Sequence, residues 1–520
     1  AQALTAQASI TVCSLLSIMG KAAPHPHGFS IYGIVGFATI GAILFGIDQA
    51  NFSGAIVKDG FIETFCGGSA ACKDATLQPH WYTNFLSFAS SFVQLGAAFG
   101  AMGFAPPVAS NLGRRETIFV GTLIAILGCL MQCWVQIAWL FLLARFVVGM
   151  GVGMVTYALP MYTSEVTPPE IRGALGCVFQ IMAFVGCVLA ALLNALPWLG
   201  YKASLFLPGW PGIVLAAGIL FLPVSPRFAL LKWRRLGDER KGVQEALASL
   251  HRLRGSEETA ATELALLQMG LSKEENAVSL TMLWRDVSIR KRIVIACMLQ
   301  WLQQFTGINA IIGYGPALFN SAGVPISGLW CGLLSMMCLF AGTVAMVFVI
   351  DTWGRRFLLL LSAGGMLIFM TAALVLATLL DGEYNNLALG WALLACVCGY
   401  CVAFSIGFGP IPWVYPSEIF PMDVKERALS FSVFSQWFGN FVVAWIVPQQ
   451  VQLLKPQGTF VFYAVCIAVG WTLVYYFVPE TKGQPLECMD DLFGPRLQMK
   501  DELPQDHATA QKVAVAEGQA

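Results

Sequence analysis

Residues 138–160 read AWLFLLARFVVGMGVGMVTYALP, a run of 23 residues in which Arg145 is the one charged side chain. At 1.5 Å per residue, a helix of this length crosses the roughly 30 Å hydrocarbon core of a bilayer. An ionisable side chain inside such a run costs free energy unless it has a partner or a function. The stretch therefore predicts a membrane-spanning helix with a paired or functional arginine.

Similar apolar runs occur along most of the chain, in two sets of six. They centre on residues 30–56, 84–108, 117–136, 138–160, 173–197, 203–223, 292–319, 326–350, 357–380, 387–413, 428–450 and 459–478. The segment between the sets is charged and rich in Ala, Leu and Glu, which is typical of soluble helices. We expect an all-α membrane protein with twelve transmembrane helices. Its parts are an N-terminal tail (1–29), a six-helix half (30–226), a helical linker (227–291), a second six-helix half (292–479) and a C-terminal tail (480–520).

The composition excludes a soluble enzyme. Of 520 residues, 57% are apolar and 12% are charged, whereas soluble domains carry roughly a quarter charged residues. A net charge of zero makes nucleic acid a poor partner. The sequence has no phosphate-binding loop and no metal-ligand spacing beyond His25-Pro26-His27, which lies in the N-terminal tail. We therefore predict no cofactor, no metal and no enzymatic activity.

The basic residues predict the orientation. Under the twelve-span assignment, 25 of the 30 Lys and Arg residues fall on one side of the membrane. By the positive-inside rule, the linker and both termini are then cytoplasmic. The loop that holds Cys66 and Cys72 is external, where a disulfide persists. The sequence leaves a disulfide and two free thiols as alternatives for this pair.

The two sets of runs carry matching signals. Gly113-Arg114-Arg115 follows the second run and Gly354-Arg355-Arg356 follows the eighth. Ser164-Glu165 and Ser417-Glu418 follow the fourth and the tenth. Repeats of this kind indicate a duplicated transporter with a substrate site near the midplane, between the two halves.

A series of short motifs links this pattern to a known family. In chain order they are Arg145-xxx-Gly149-x-Gly151-x-Gly153, Pro160-Met-Tyr162-Thr-Ser-Glu165, Arg172-Gly173-Ala-Leu, Gln303-Gln304-Phe305-Thr306-Gly307-Ile308-Asn309, Gly409-Pro410-Ile-Pro412-Trp413 and Pro479-Glu480-Thr481-Lys482-Gly483. With them the chain resembles the sugar porter family of the major facilitator superfamily over residues 30–487, and algal and plant proton–hexose symporters in particular. The resemblance implies a transporter that works by alternating access.

Asp48 follows eighteen residues without a charge. Residues alone leave two readings, a buried functional carboxylate or a side chain at the external edge of the first span. The resemblance implies that Asp48 is the proton-coupling residue and that Arg145 is its partner. Opposite charge favours the ionised carboxylate and desolvation disfavours it, so protonation would release Arg145. A purely structural ion pair is the alternative.

Sugars present hydroxyl groups and an apolar face, which amides and aromatic rings bind. The resemblance implies sugar contacts at Gln180, Gln303, Gln304, Asn309, Trp413 and Asn440. Helix–helix hydrogen bonds are the alternative for the amides. Gln304 and Asn309 are about 1.4 turns apart on an α-helix, so an unwound segment near Gly307 is expected to bring them together.

Further residues are candidates for gating. Packing is the alternative for four aromatic residues, Phe52, Phe92, Tyr314 and Trp437. The charges expected to form a cytoplasmic latch are Arg114, Arg115, Glu165, Asp351, Arg355, Arg356 and Glu418, with solvated loops as the alternative. The chain departs from the family at Leu339, where many relatives have Asn, and at Ser110 and Asn111, where relatives have an acid and a base.

Together these features predict a proton-coupled monosaccharide symporter, with glucose or another hexose as substrate, in the plasma membrane. Its partners are the sugar, protons and the lipid bilayer. A facilitative hexose uniporter, a polyol or inositol transporter and a non-transporting sugar receptor stay open as alternatives.

Overall fold

The described part of the chain is built from helices. The computed structural model describes residues 31–68, 72, 78–168, 172–272, 284–312, 327–382, 387–421, 424–482 and 492–494. Tyr314 and the side chains of Asp351 and Arg172 lie outside the described residues. The all-α fold predicted from the apolar runs is confirmed over the described residues.

The described residues of the N-terminal half form ten α-helices and one π-helical segment, Gly100–Phe104, which joins α4 to α5. The helices are α1 (Ile31–Ala38), α2 (Ile40–Ala55), α3 (Asp59–Cys66), α4 (His80–Phe99), α5 (Ala105–Asn111), α6 (Arg114–Trp134), α7 (Ala138–Val166), α8 (Arg172–Asn194), α9 (Tyr201–Phe206) and α10 (Gly209–Ile219).

The linker and the second half supply the other helices of the described chain. The linker forms α11 (Pro226–Arg235), α12 (Glu239–Arg254) and α13 (Glu257–Ser272). The second half forms α14 (Val287–Gln304), α15 (Gly328–Trp353), α16 (Arg355–Gly382), α17 (Leu387–Ile406), α18 (Ile411–Ile419) and α19 (Lys425–Phe477).

Ten segments among the described residues are long and apolar enough to cross a bilayer. They are Ile31–Ala55, His80–Asn111, Arg114–Trp134, Ala138–Val166, Tyr201–Ile219, Gly328–Ile350, Arg355–Leu379, Ala388–Pro416, Arg427–Leu454 and Gln457–Phe477. A shorter apolar segment, Val178–Asn194, lies within α8. The segment that opens the second half, α14, carries Arg290, Lys291 and Arg292 in its first turns, which lowers its hydropathy.

The long helix α19 contains two spans and folds back on itself. The hydroxyl of Tyr463 donates a hydrogen bond to Oε1 of Gln450 at 3.2 Å. Thirteen residues of straight helix would separate these positions by about 20 Å. The chain therefore reverses direction between them, at the junction of Arg427–Leu454 and Gln457–Phe477.

Helices in the N-terminal half pack backbone against backbone. A Cβ atom at Gly149 of α7 would lie 1.9 Å from the carbonyl oxygen of Val93 in α4, and one at Gly153 would lie 2.1 Å from that of Ala97. A Cβ at Gly46 of α2 would lie 1.8 Å from a carbonyl oxygen of α8. Close approach of this kind, through small residues, is how membrane helices gain van der Waals contact without a hydrophobic driving force.

Among the described residues, the largest contacts between the two halves are those of α4 with α19 and of α8 with α15. We call the end of the molecule that carries Lys58 and α3 the Lys58 end, and the opposite end, where the linker lies, the linker end. Gln452 of α19 donates to Oγ1 of Thr83 at 2.6 Å and to the carbonyl of Gln78 at 2.9 Å. Ser90 of α4 donates to the carbonyl of Ala444 at 3.3 Å. These uncharged hydrogen bonds, here called the seam, hold the halves together at the Lys58 end.

The linker helices form a small core of their own, built from Ala229, Leu230, Ala246, Leu250, Ala260 and Leu264. Arg254 of α12 pairs with Glu263 of α13 at 2.7 Å and donates to the carbonyl of Val166 at 3.0 Å. The linker is therefore attached to the C-terminal end of α7.

Candidate functional site

A buried ion pair lies in the N-terminal half. Nη1 of Arg145 is 3.6 Å from Oδ1 of Asp48, and both side chains are almost fully buried. Arg145 also donates to the carbonyl of Ala89 at 2.8 Å and to Oε1 of Gln132 at 3.3 Å. Its guanidinium lies 4.4 Å from the ring centroid of Phe52. Arg145 is thus held from several sides in its present position.

Asp48 is less well satisfied than its partner. Within the described residues, neither of its carboxylate oxygens has a hydrogen-bond partner, and the contact with Arg145 is longer than a hydrogen bond. A buried carboxylate that lacks hydrogen bonds is expensive, so the charge on Asp48 depends on Arg145. Protonation of Asp48 would remove its electrostatic attraction to Arg145.

A cavity opens beside this pair, between the two halves. Its lining comes from α2, α4, α7, α19 and the segment after α14. The lining residues are Asp48, Gln49, Phe52, Ser90, Gln94, Arg145, Asn309, Ile312, Asn440 and Ala444. The two charges cancel and the other polar groups are amides and a hydroxyl. Such a wall suits a neutral ligand that carries hydroxyl groups.

A row of amides leads from α14 toward the cavity. Gln303 donates to the carbonyls of Phe408 and Gly409, both at 2.7 Å, where α17 ends and α18 begins. Its Oε1 accepts from Gln436 at 2.6 Å and from Gln304 at 3.4 Å. The Gln303 amide is therefore occupied by protein groups and positions the break between α17 and α18.

The helix of Gln304 ends before Asn309, as the spacing of the two amides requires. Gly307 has a φ of +90°, a conformation that favours glycine, and a new turn of helix begins after it. Across this break, Nδ2 of Asn309 donates to Oε1 of Gln304. Gln304 is thereby linked to Asn309, which lines the cavity.

Three amide oxygens near the interface of the halves have no hydrogen-bond partner among the described residues. They belong to Gln180, Gln436 and Asn440. Buried polar atoms are normally satisfied, and exceptions in native structures often mark ligand sites or unobserved water. These oxygens are acceptors available to a hydroxyl group.

Four aromatic rings connect the two halves. Phe45 of α2 stacks on Phe179 of α8 with centroids 6.1 Å apart, and meets the edge of Trp437 at 5.5 Å. Phe179 lies 6.0 Å from Trp413. Trp413, expected as a stacking surface, and Trp437, expected as a gating residue, are therefore brought together against the N-terminal half. Trp413 is half-buried, which leaves part of its ring available.

The other aromatic candidates lie at the Lys58 end. Phe52 is buried between the Arg145 guanidinium and Phe61, whose ring centroid is 6.0 Å away. Phe92 is half-buried and contacts Phe88, which stacks on Trp445 of the second half. Phe52 thus belongs to the cavity wall, and Phe92 packs beside the interface.

The residues of the expected latch pair within each half. Arg114 pairs with Glu165 at 3.1 Å, and Arg355 pairs with Glu418 at 2.8 Å. Arg115 donates to the carbonyl of Leu222 at 2.8 Å. These contacts fasten neighbouring helices at the linker end of each half.

The sequence did not single out Glu480 for this network. Its carboxylate accepts from the backbone N–H groups of Arg355 and Arg356 at 2.8 and 3.0 Å, at the N-terminus of α16. Thr481 donates to Glu418 at 3.0 Å. A carboxylate at a helix N-terminus is stabilising, so Glu480 fixes the end of the last span to the Gly-Arg-Arg turn.

Cys66 and Cys72 form a disulfide in the structure, with their Cα atoms 6.6 Å apart. The bond closes a loop at the end of α3. Aromatic rings pack beneath this end of the molecule, among them Phe61, Phe65 and Phe85.

Comparison with known proteins places this architecture in one family. The family model described as "Sugar (and other) transporter" matches residues 34–493, which is most of the chain and both halves. The chain belongs to the sugar porter family of the major facilitator superfamily. The members of this family are transporters rather than enzymes.

Relatives of this sugar porter include fungal and plant proteins. It is 31% identical over 508 residues to the major facilitator-type transporter ecdD of Aspergillus rugulosus, covering 94% of this chain and 90% of that protein. It is 29% identical over 477 residues to sugar transport protein 1 of Arabidopsis thaliana, covering 88% of each chain. Identity is similar for the fungal and the plant protein.

Solved structures show the same fold. The xylose transporter XylE of E. coli, in a partially occluded inward-open conformation, matches this sugar porter with a TM-score of 0.71 and 23% identity. That match covers 88% of this chain and 99% of XylE. XylE bound to 6-bromo-6-deoxy-D-glucose, described as a proton:xylose symporter, matches with a TM-score of 0.71 and 24% identity. The predicted major facilitator fold is confirmed.

In this sugar porter, the structure brings Asp48, Arg145, Asn309 and Asn440 to one cavity. Gln303 and Gln304 reach it through Asn309. Sequence reasoning missed two further amides of the wall, Gln49 and Gln94. The available signal was two glutamines within apolar runs, since a polar side chain in a span is rarely without a role.

Proposed function

We propose that this protein is a proton-coupled symporter that carries a hexose across the plasma membrane by alternating access. The observation that carries the proposal is the position of the Asp48–Arg145 pair in the wall of the cavity that also holds Asn309 and Asn440. In this arrangement a proton and a sugar enter the same space between the halves. The linker and both termini are cytoplasmic in this proposal, as the distribution of basic residues predicts.

The buried pair acts as a switch. While Asp48 is ionised, Arg145 is attracted to it. Protonation removes that attraction, and Arg145 then depends on the carbonyl of Ala89, on Gln132 and on the ring of Phe52. The Asp48–Arg145 attraction shifts the equilibrium between two conformations only if its free energy differs between them. Losing the attraction then changes the populations by that difference. The proton thereby favours the conformation that admits sugar.

The amides bind the sugar. Gln180 and Asn440 offer acceptor oxygens without protein partners, and Asn309 extends the row that begins at Gln303. The half-buried ring of Trp413 supplies a face for stacking. Gln303 supports the site from behind, because its own amide is held by Phe408 and Gly409.

The test is uptake of labelled glucose into proteoliposomes, with and without an inward proton gradient. The wild type is expected to accumulate glucose above equilibrium only with the gradient. Asp48→Asn is expected to lose accumulation, because an amide cannot ionise, while it retains downhill exchange. Asp59→Asn, a carboxyl change on an exposed residue of α3, serves as the control and should accumulate like the wild type.

Three results would overturn this proposal in different ways. Equilibration of glucose that ignores the gradient in the wild type would make the protein a uniporter with a structural Asp48–Arg145 pair. Uptake of inositol or another polyol, with none of any hexose, would move the substrate to that class. No uptake of either would favour a sugar receptor.

A further inference from the structure

We propose that Gln49 and Gln94 form a hydroxyl-reading pair on the N-terminal wall of the cavity and determine which sugar the protein accepts. The inference rests on the proposed function of sugar transport. It assigns specificity to two residues that none of the sequence motifs includes.

Gln49 and Gln94 both line the cavity. Gln49 follows Asp48 on α2, and both line the cavity with Phe52, one turn further along the helix. Gln94 lies four residues after Ser90 on α4, so the two share one face of that helix. Asn440 and Ala444 of α19 have the same spacing on the opposite wall. The two glutamines therefore face the same space as the coupling pair and the amides of the second half.

The two glutamine amides have unused hydrogen-bonding capacity. Nε2 of Gln49 donates to Oε1 of Gln94 at 3.4 Å, which is long for a hydrogen bond. A glutamine amide has two donor hydrogens and an oxygen with two lone pairs. With this one bond among the described residues, the pair keeps the oxygen of Gln49 and the amide hydrogens of Gln94 for a ligand. One hydroxyl group can donate to the first and accept from the second.

The opposite wall of the cavity, on the second half, carries Asn440. Asn440 is 5% exposed and its Oδ1 has no hydrogen-bond partner among the described residues. The cavity thus has open acceptors on both halves, and its formal charges cancel between Asp48 and Arg145. A neutral polyhydroxyl molecule can bridge the walls, whereas an anion or a cation gains nothing from a neutral wall. The ligand class is therefore a sugar with a hydroxyl directed at α2 and α4.

Gln49 lies beside Asp48, the proposed coupling carboxylate. Because Gln49 is adjacent to Asp48 in the chain, a hydroxyl bound at Gln49 fixes the segment of α2 that carries the carboxylate. Sugar binding and protonation then act on one short segment. A sugar that lacks this hydroxyl is expected to bind more weakly and to couple less well.

The experiment is competition for labelled glucose uptake by glucose and by each monodeoxyglucose in turn. In the wild type, one analogue should compete about tenfold more weakly than glucose, the value for one neutral hydrogen bond. Gln94→Leu and Gln49→Leu should weaken glucose about tenfold and leave that analogue unchanged, so that the discrimination disappears. Gln457→Leu is the matched control, since Gln457 bonds the carbonyl of Ala377 away from the cavity.

The outcomes separate this inference from the proposed function. An equal loss for glucose and for every analogue would make the pair structural and would overturn the inference, as would unchanged discrimination in both variants. No uptake of any sugar by the wild type would instead overturn the proposed function. Gln94→Asn, which keeps the amide but shortens it by one methylene group, is measured beside the leucine variants. If the leucine variants fail to fold, Gln94→Asn decides. Weaker discrimination against the same deoxy analogue supports the pair, and discrimination equal to that of the wild type contradicts it.

Discussion

Arg145 has more partners than Asp48 among the described residues, and this asymmetry matters for the proposed switch. The arginine is held by the carbonyl of Ala89, by Gln132 and by the face of Phe52. The carboxylate has the arginine at 3.6 Å and no hydrogen bond among the described residues. Under the proposed coupling, neutralising the carboxylate leaves Arg145 as an uncompensated buried charge, which is costly. The contacts with Ala89, Gln132 and Phe52 offset part of that cost.

Gln304 connects Gln303 to the cavity, and its removal tests the placement of the sugar site. Gln304→Ala deletes the acceptor of Asn309 and the donor to Gln303. We expect the apparent affinity for glucose to fall by roughly 10- to 100-fold, as for one or two hydrogen bonds, in a concentration series of uptake. Gln300→Ala, on the same helix but bonded to Pro412 and Ser432, is the control. Unchanged uptake in Gln304→Ala would mean that the central site is misplaced.

At the scale of helices, the close contact between α4 and α7 leaves no room for a side chain at Gly149. A Cβ there would lie 1.9 Å from the backbone oxygen of Val93, and a backbone atom cannot rotate away. Gly149→Ala should cost roughly 1–3 kcal/mol or more through overpacking, seen as a lower melting temperature in detergent.

The control for that variant is a glycine on a helix with space around it. Gly364 lies in α16, and a Cβ there meets nothing within 4 Å. Gly364→Ala should therefore leave the melting temperature unchanged or raise it slightly, since alanine loses less backbone entropy. Equal melting temperatures for Gly149→Ala and Gly364→Ala would contradict the packing argument.

The helices themselves were largely predictable, because a bilayer requires long apolar runs. The run at 138–160 and the helix Ala138–Val166 are an example. The reversal within α19 was also predicted, as two separate spans at 428–450 and 459–478. Contacts between helices were harder to predict from the sequence. Sequence spacing indicated a break near Gly307, but the occupation of the Gln303 amide by Phe408 and Gly409 depends on how distant segments pack.

Charged residues were easier to place than neutral ones. Asp48 and Arg145 stand out in an apolar run, whereas Gln49 and Gln94 resemble any polar residue of a span. Glu480 was quoted within a motif, yet its contact with the N-terminus of α16 is set by tertiary structure. The role of a polar residue in a span depends on the helix that packs against it. A single sequence does not identify that helix.

For the whole molecule, the seam joins the two halves at the Lys58 end. Gln452→Ala removes two hydrogen bonds from α19 to the other half, at about 1 kcal/mol each. We expect amide hydrogen exchange over residues 78–90 to accelerate at least fivefold, because the halves separate more often at this end.

The control for the seam is another glutamine-to-alanine substitution on α19. Gln457→Ala removes a bond to Ala377 that lies within the second half, so exchange over residues 78–90 should stay at the wild-type rate. If Gln452→Ala exchanges like this control, the seam does not hold the halves together.

The neutrality of the Asp48–Arg145 pair has an electrical consequence. With both groups ionised, the empty carrier contributes no net charge from its core to the membrane field. One bound proton leaves Arg145 uncompensated, so the loaded carrier has one positive charge there, worth about 2.3 kcal/mol per 100 mV. Under the proposed coupling, voltage therefore drives the delivery of sugar into the cell and leaves the return of the empty carrier unaffected.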